Sequence, residues 1–254
     1  MSYNIRYGSA DDGENSWTNR RPATIAMIND CLPDIFGVQE AESDQLEYVT
    51  ANCTDYSMVG VGRDDGVSAG EHMSVFWNTK TMKLLDWGTF WLSDTPDKPS
   101  GTWGSSIKRS TTWTLMQHRE SGKKLYFVNT HLHHKVNKVN EYEAQKKGLE
   151  LIKERIAQMN TSGYPVVLTG DFNIHPDNTA LDVLDGVMLS AREEAQKTDN
   201  RITYNAFKST GGEILDYIYY SGFSGCLEFQ AVTKTYLDIP YVSDHYPITA
   251  NLVF

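Results

Sequence analysis

Two short polar runs, each beside an apolar run, are the part of this sequence best suited to chemistry. Thr169-Gly170-Asp171-Phe172-Asn173 follows an apolar run, and Ser243-Asp244-His245-Tyr246-Pro247 precedes the alternating run 248–253. Both patterns predict an Asp and a second polar group at the end of a buried strand, where side chains converge on a cleft. Carboxylates, an imidazole and a carboxamide gathered in this way can hold a divalent metal and a phosphate and activate a water. The sequence therefore predicts a hydrolase.

Side chains of the same kinds stand at other predicted strands. Asn4 lies in the first of them, Glu40 ends the second, His131 ends the strand at 125–130, and Asp216 lies within the strand at 214–220. Each residue alone has an ordinary explanation, as a helix cap, a turn residue, a paired strand carboxylate or a solvated loop end. Taken together they are hard to explain as caps and turns, because each lies at a strand end or among apolar strand neighbours.

The elements that would position these residues alternate along the chain with short spacers. Helices are predicted at 21–32, 43–51, about 140–159 and 179–184. The first of these would have Pro22 in its first turn and Ile25, Ile28 and Leu32 on its buried face. Strands are predicted at 1–7, 34–38, 56–61, 72–77, 83–90, 111–118, 125–130, 165–170, 214–220, 227–234 and 248–253.

This order of elements predicts the fold class. Hairpins beside strand-helix-strand units favour an α/β protein with two mixed sheets packed face to face and covered by helices. No repeat, low-complexity tract or Gly/Ser-rich linker interrupts the chain. We therefore expect one four-layer domain over residues 1–254.

Composition limits the classes of function. The net charge of −10 argues against a broad nucleic-acid footprint, which needs clustered Lys and Arg, but does not exclude a phosphate substrate held by cations. Three scattered cysteines are too few for a disulfide framework or a zinc site, so free thiols are expected. No apolar run is long enough to span a bilayer. Residues 1–7 read as a strand already in progress, so we expect a trimmed N-terminus, which leaves a periplasmic or secreted location open.

The joint pattern resembles the endonuclease/exonuclease/phosphatase superfamily, which contains pancreatic-type deoxyribonucleases, apurinic-site endonucleases, inositol-phosphate phosphatases and neutral sphingomyelinases. The resemblance covers essentially the whole chain. It is similar to a bacterial subgroup of undefined substrate through residues 13–17 and 88–93. The superfamily blocks, in order, are Ser-Tyr-Asn-Ile-Arg at 2–6, Gln39-Glu40, Gly62-Arg63, Asn129-Thr130-His131, Gly170-Asp171-Phe172-Asn173, Leu215-Asp216-Tyr217-Ile218 and Ser243-Asp244-His245.

The resemblance implies a deoxyribonuclease-like four-layer αββα sandwich and a metal site. Glu40 would be the principal ligand of Mg²⁺ or Mn²⁺, with Asp244 and Asn4 close by and partly reached through water. Hard oxygen ligands and retained waters are what Mg²⁺ prefers.

The resemblance also implies roles around the scissile phosphate. Asp171 would orient or deprotonate the attacking water, and Asn173 would hold that water or a phosphate oxygen. The two histidines would serve as acid, base or transition-state donors. His245 would pair with Asp216, His131 would pair with Glu71, and Arg109 would bind phosphate. His133 and His134 depart from the subgroup's pattern, and a solvated His133 is the expectation.

The substrate is the least specified part of the prediction. Trp17, Trp91 and Trp103 lie in segments that read as loops beside the cleft, where they would stack a sugar or a base, with core packing as the alternative. The leading hypothesis is a metal-dependent phosphodiesterase or phosphatase whose partner is a phosphorylated small molecule. A nuclease of the same mechanism is the second hypothesis. A catalytically inactive binding module is the third, but it would be expected to lack Glu40, Asp171 or His245, and all three are present.

Overall fold

The strands form two β-sheets in the computed structural model, which describes residues 1–134 and 142–254. The strands of the described residues are β1 (Ser2–Asn4), β2 (Ile35–Gln39), β3 (Tyr56–Val59), β4 (Val75–Asn78), β5 (Met82–Trp91), β6 (Ser110–His118), β7 (Lys124–His131), β8 (Val166–Asp171), β9 (Leu189–Ser190), β10 (Lys197–Thr198), β11 (Asp216–Ser221), β12 (Gly225–Ala231) and β13 (Ile248–Val253).

Each sheet mixes parallel and antiparallel pairs. The first sheet has seven strands in the order β10-β12-β13-β1-β2-β4-β3, and the second has six in the order β5-β6-β7-β8-β11-β9. β1 runs parallel to β2, and β7 runs parallel to β8. The strands that flank each parallel pair are antiparallel to it.

The helices lie outside the two sheets. They are α1 (Trp17–Cys31), α2 (Ser43–Asn52), α3 (Glu143–Met159) and the short α4 (Ala191–Glu194), with 3₁₀ turns at Gly13–Asn15 and Thr179–Leu184. α2 begins with a capping box. The Glu42 side chain accepts a hydrogen bond from the Gln45 amide, and the Gln45 side chain accepts one from the Glu42 amide. Among the residues described, no helix is both long and apolar enough to cross a membrane.

Three apolar cores separate four layers. One core joins α1 and α2 to the first sheet and contains Met27, Leu46 and Phe36. A second lies between the sheets, and a third joins the second sheet to α3 through Leu149 and Ile152. Successive strand residues serve different cores, because side chains alternate across a strand. The predicted αββα sandwich is thus confirmed.

Two helix predictions were wrong in detail. α1 begins at Trp17 rather than at residue 21, so Pro22 is inside the helix and not in its first turn. Pro22 has no N–H to donate to the Thr18 carbonyl. The helix tolerates this missing hydrogen bond because both residues are exposed to solvent. Leu32 is 61% exposed and is the left-handed C-cap rather than part of the buried face.

The other boundaries lie within three residues of the predicted ones, and β13 matches its predicted range in full. The largest differences are that β1 ends at Asn4 instead of residue 7, β4 begins at Val75 instead of residue 72, and β12 ends at Ala231 instead of residue 234. The short helix predicted near 179–184 is present as a 3₁₀ helix over the same residues. The start predicted near residue 140 lies outside the described residues, and α3 is described from Glu143. The short elements β9, β10 and α4 were not predicted, since two to four residues are too few to show a period. The three cysteines are free, as expected.

All of the strands that carry predicted site residues meet at one edge of the sandwich. β1, β2, β7 and β8 end there, and their antiparallel neighbours β13, β4, β6 and β11 begin there. These are four adjacent strands in each sheet. The topology therefore gathers residues far apart in the chain at one place, which is the candidate active site.

Candidate active site

Asn4 joins the ends of the two sheets. Its amide Nδ2 donates to Glu40 Oε1 at 3.1 Å and to Asp171 Oδ2 at 3.0 Å, while its Oδ1 accepts from the Arg6 amide at 3.0 Å. Glu40 follows β2 with a left-handed backbone (φ 62°) and also accepts from the Tyr7 amide at 3.3 Å. A single carboxamide thus holds two carboxylates at the same edge of the sandwich.

His245 and Asp216 form a buried pair beside them. His245 Nδ1 lies 2.7 Å from Asp216 Oδ2, and His245 Nε2 lies 3.8 Å from Asp171 Oδ2. Burial by itself lowers the pKa of His245, but the carboxylates of Asp216 and Asp171 outweigh it and raise the pKa to about 10. We therefore assign His245 as a charged imidazolium that donates from Nδ1 to Asp216 and presents Nε2–H to the centre of the site.

The charge state of His131 differs from that of His245. Its Nε2 accepts from Asn173 Nδ2 at 3.0 Å and lies 3.4 Å from Asp171 Oδ2. Burial, together with the positive charges of Arg109 and Arg63, holds its pKa well below the usual range. His131 is therefore neutral, and its accepting Nε2 assigns the ring proton to Nδ1.

Asp171 lies between the two histidines at the end of β8. It is 2% exposed, and burial raises its pKa to about 7, with the charges of Asp216 and Glu40 acting in the same direction. Its Oδ1 accepts from the Asn173 amide at 2.9 Å. A carboxyl group with a pKa near neutrality can both take up and release a proton under ordinary conditions, which is what a general base requires.

Glu71 reaches the site, but its main partner is not His131. Glu71 Oε2 accepts from Arg63 Nη1 at 2.6 Å, whereas His131 Nδ1 is 4.0 Å away, beyond hydrogen-bond distance. Arg109 precedes β6, is 4% exposed, and lies 2.9 Å from His134 Nδ1 through its Nη2. The structure thus adds Arg63 as a second guanidinium beside Arg109.

Comparison with known proteins assigns the family. A sequence model of the Endonuclease/Exonuclease/phosphatase family matches residues 1–245. The protein belongs to this family. Members of this endonuclease/exonuclease/phosphatase family are phosphoester hydrolases, so this protein is an enzyme of that class.

Solved structures of the family share its fold over the whole chain. A mannosyl-6-phosphatase of Bacteroides thetaiotaomicron superimposes with a TM-score of 0.93 at 30% identity, covering 100% of this chain and 98% of that one. A family protein from Bacteroides vulgatus gives 0.90 at 30% identity, with 99% and 96% covered. The D. rerio protein TDP2, solved with a single-stranded DNA product, gives 0.75 at 17% identity, with 97% and 95% covered, and shows the fold alone.

The side chains fit the divalent metal that the family implies. Ligand atoms of Glu40, His131 and Asp171 lie within 4.8 Å of one another, as do those of Asp171, Asp216 and His245. The first group suits a metal better, because His245 in the second carries a proton on each ring nitrogen. Asp244, 7% exposed with its pKa raised by burial, lies 3.7 Å from Arg6 Nη1. Asn4 faces Glu40 with its amide nitrogen, so in this arrangement it orients carboxylates rather than offering an oxygen.

Removing the charge of Glu40 is expected to weaken metal binding. We expect Glu40→Gln to bind Mg²⁺ or Mn²⁺ at least tenfold more weakly in calorimetry, because a carboxamide replaces the anionic oxygen donor that a hard cation prefers. Glu47→Gln, on the exposed face of α2, is the matched control and should bind metal as the wild type does. Unchanged metal affinity in folded Glu40→Gln would remove Glu40 from the metal site.

Some residues predicted for the cleft have other surroundings. His133 is buried rather than solvated, and its carbonyl accepts from Gln145 Nε2 at 2.6 Å. Trp17 is buried at the start of α1 with its ring nearly perpendicular to that of Tyr48. Trp91 is buried at the end of β5 and donates from Nε1 to the Arg63 carbonyl at 2.7 Å. Neither of these two tryptophans has a free face to stack a ligand, because core packing covers both.

Trp103 is the third tryptophan considered for stacking. It is partly buried, packs against the core of the second sheet and α3, and donates from Nε1 to Asp94 Oδ1 at 2.7 Å. Its indole nitrogen is thus already satisfied within the chain.

Arg20 supports the site in a way the sequence does not indicate. It is 1% exposed within α1 and donates to the carbonyls of Ile5 at 3.0 Å and Val242 at 2.7 Å. These carbonyls belong to the segments that carry Asn4 and Asp244. A helical arginine normally reads as a solvated surface residue, so only the folded chain shows this bracing role.

Gln39 and Asn129 form a polar bridge between the sheets directly below the site. Gln39 Nε2 donates to Asn129 Oδ1 at 2.6 Å, and Asn129 Nδ2 donates to the carbonyls of Val38 and Ser74 at 2.8 and 3.1 Å. Gly37 makes room for it, since a Cβ there would lie 2.3 Å from Asn129 Oδ1. The bridge fixes the spacing between β2, which Glu40 follows, and β7, which ends in His131.

Proposed function

We propose that this enzyme is a divalent-metal-dependent hydrolase of small or medium organic phosphates, with Mg²⁺ or Mn²⁺ as the metal and a phosphorylated sugar as the favoured substrate. The observation that carries the proposal is the arrangement of Asp171 between a neutral His131 and a charged His245. This arrangement supplies a base, a neutral imidazole with a free-electron-pair nitrogen, and a cationic donor around one position.

Each side chain has a chemical role in this proposal. Asp171 accepts a proton from the attacking water, which Asn173 helps to orient, since both share the turn after β8. The imidazolium of His245 stabilises charge on the phosphoryl oxygens and can release its Nε2 proton to the leaving oxygen. Asp216 holds the ring of His245 in place. A metal held by Glu40, with His131 and Asp171 nearby, would neutralise charge on the phosphate.

The favoured substrate class rests on similarity and on charge. The similar Bacteroides protein is a mannosyl-6-phosphatase, which hydrolyses the phosphate of a phosphorylated sugar. The net charge of −10 leaves few cations to neutralise a long polyanion. Nucleic acid is the second candidate because TDP2, which has the same fold, was solved with single-stranded DNA.

A substrate panel tests the proposal. We expect Mg²⁺- or Mn²⁺-dependent release of phosphate from sugar phosphates, abolished by EDTA and restored by added metal. Nucleotides, phosphodiesters and DNA would be assayed at the same concentration. Full activity in EDTA would overturn metal dependence, and DNA as the best substrate would replace the small-phosphate assignment with the nuclease.

The salt dependence of oligonucleotide binding separates the two candidates. The slope of log affinity against log salt reports how many phosphates a protein neutralises. We expect a shallow slope equivalent to about one to three contacts, with no preference for duplexes over short fragments. Fluorescence anisotropy from low to moderate salt measures this slope. A steep dependence with efficient cleavage of plasmid DNA would favour the nuclease.

A further inference from the structure

Arg109 is a buried cation with hydrogen-bond donors left over. It is 4% exposed, and its Nη2 contacts His134. Its Nε and Nη1 are buried and have no hydrogen-bond partner among residues 1–134 and 142–254. A buried guanidinium is costly unless an anion pairs with it, and the described part of the chain gives Arg109 no carboxylate within ion-pair distance. These donors are therefore unsatisfied within the described residues, and pairing with an anion would stabilise them.

Arg63 is a second guanidinium of this kind. Its Nη1 donates to Glu71, and its Nε is buried without a hydrogen-bond partner in the same described residues. The backbone around Arg63 is well anchored. Asp65 Oδ1 accepts from the amides of Val67, Ser68 and Ala69 at 2.8, 2.9 and 2.9 Å, and Trp91 donates to the Arg63 carbonyl. Arg63 is thus held in place before any ligand arrives.

The two guanidiniums lie beside the candidate active site. Glu71, which pairs with Arg63, also lies 4.0 Å from His131 Nδ1. Arg109 interacts electrostatically with Glu71, Arg63, Glu40 and Asp171. Glu71 pairs with Arg63, and Arg109 has no ion-pair partner in the described residues, so the positive charge of Arg109 beside His131 is not directly paired.

We propose that Arg63 and Arg109 form a subsite for the dianionic end of a phosphate monoester and so make the enzyme selective for monoesters over diesters. The inference rests on the proposed function and adds the class of ester. A monoester offers three terminal oxygens and two negative charges at neutral pH. A diester has one charge fewer and places an alkyl group where the third oxygen would meet these donors, so buried N–H groups stay unpaired.

Two esters of the same leaving group test the selectivity. The enzyme would be assayed with Mg²⁺ or Mn²⁺ on p-nitrophenyl phosphate and on methyl p-nitrophenyl phosphate, or on the best monoester of the panel and its methyl diester. We expect kcat/KM of the wild type to favour the monoester by about 10²–10⁴, since each hydrogen bond to a charged group contributes roughly 10–150-fold.

Variants of Arg63 locate the selectivity. Arg63→Met should lower kcat/KM for the monoester at least 30-fold and for the diester less than fivefold. The double variant Arg63→Met/Glu71→Gln avoids an unpaired carboxylate. It should show the same decrease in the ratio of kcat/KM for the monoester to kcat/KM for the diester. Arg119→Met is the control, because Arg119 bonds to the carbonyls of Thr79 and Met82 in the turn at the opposite end of the sandwich. It should leave both rates unchanged.

Inhibition gives a readout besides turnover. Inorganic phosphate should inhibit the wild type at least 30-fold more strongly than dimethyl phosphate, and Arg63→Met should remove most of this difference. Near-UV circular dichroism checks that the variants are folded, and Arg63→Lys, which keeps the charge, serves if Arg63→Met unfolds. Equal rates on the two esters in the wild type, or equal losses in Arg63→Met, would overturn the dianion subsite while the hydrolase stands. No metal-dependent hydrolysis of any ester would instead overturn the proposed function.

Discussion

His245→Ala is expected to lose about 10²–10⁴ of turnover while remaining folded, because a positioned acid or charged donor contributes roughly this factor. The imidazolium lies 3.8 Å from Asp171 and 2.7 Å from Asp216, so it is the cationic donor at the centre of the site. Steady-state kinetics at saturating metal measure the loss. His118→Ala is the matched control, since His118 contacts Ser121 in an exposed turn at the far end of the sandwich and should be silent.

Asp216→Asn should resemble a milder His245→Ala. The carboxylate raises the pKa of His245 to about 10, so its removal lowers that pKa and the charged form is lost as pH rises through the new value. We expect the activity of Asp216→Asn to fall at an alkaline pH at which the wild type is still fully active. In a double-mutant cycle, independent effects of Asp216→Asn and His245→Ala would show that the pair does not act as a unit.

Asp171→Asn is expected to lose a similar factor in turnover, about 10²–10⁴, because an amide cannot accept the proton of the attacking water. The loss should be larger in kcat than in metal affinity, since Glu40 remains although Asp171 belongs to the same ligand group. Asp55→Asn, an exposed carboxylate paired with Lys80 at the opposite end, is the control for this substitution. Turnover within threefold of the wild type in Asp171→Asn would exclude Asp171 as the base.

The same variant reports on stability in EDTA. Burial raises the pKa of Asp171 from 3.8 to about 7, so the folded protein binds this proton more tightly than the unfolded chain. The stability that this proton gives is complete below pH 4 and is lost as pH rises through 7. As the pH rises from 4 to above 7, the free energy of unfolding of the wild type should therefore fall relative to that of Asp171→Asn, by on the order of 4 kcal/mol. Urea unfolding at pH 4 and pH 8 measures this, and a difference independent of pH would contradict the raised pKa.

Local pattern was enough to predict most of the elements. The alternation at Ile248–Val253, the apolar spacing of Leu46 and Val49 in α2, and the stripe of Leu149 and Ile152 in α3 all reflect one buried face per element. Burial of such faces dictates both the period and the layer order, so the four-layer sandwich follows from the sequence. The errors fall where no period exists. The start of α1 is a polar segment, and β9, β10 and α4 are too short to show a repeat.

The residue types of the site were also readable from the sequence, because polar groups at the ends of apolar strands have few structural uses. The pairing among them was not. Glu71 was assigned to His131, yet its carboxylate bonds to Arg63, since a guanidinium 2.6 Å away competes better than a neutral imidazole at 4.0 Å. For Trp17 and Trp91 the sequence left ligand stacking and core packing as alternatives, and both side chains are buried by packing.

The sequence by itself thus determined the fold class, the family and the edge of the sandwich where chemistry occurs, because each depends on patterns within a few residues or on short motifs. Only the tertiary structure decided the charge states and partners. Burial lowers the pKa of both His131 and His245. Arg109 and Arg63 lower it further at His131, whereas the carboxylates of Asp216 and Asp171 outweigh burial at His245, so the two pKa values move in opposite directions. Those neighbours come from strands far apart in the chain. Their distances, and therefore their electrostatic effects, exist only once both sheets have packed together.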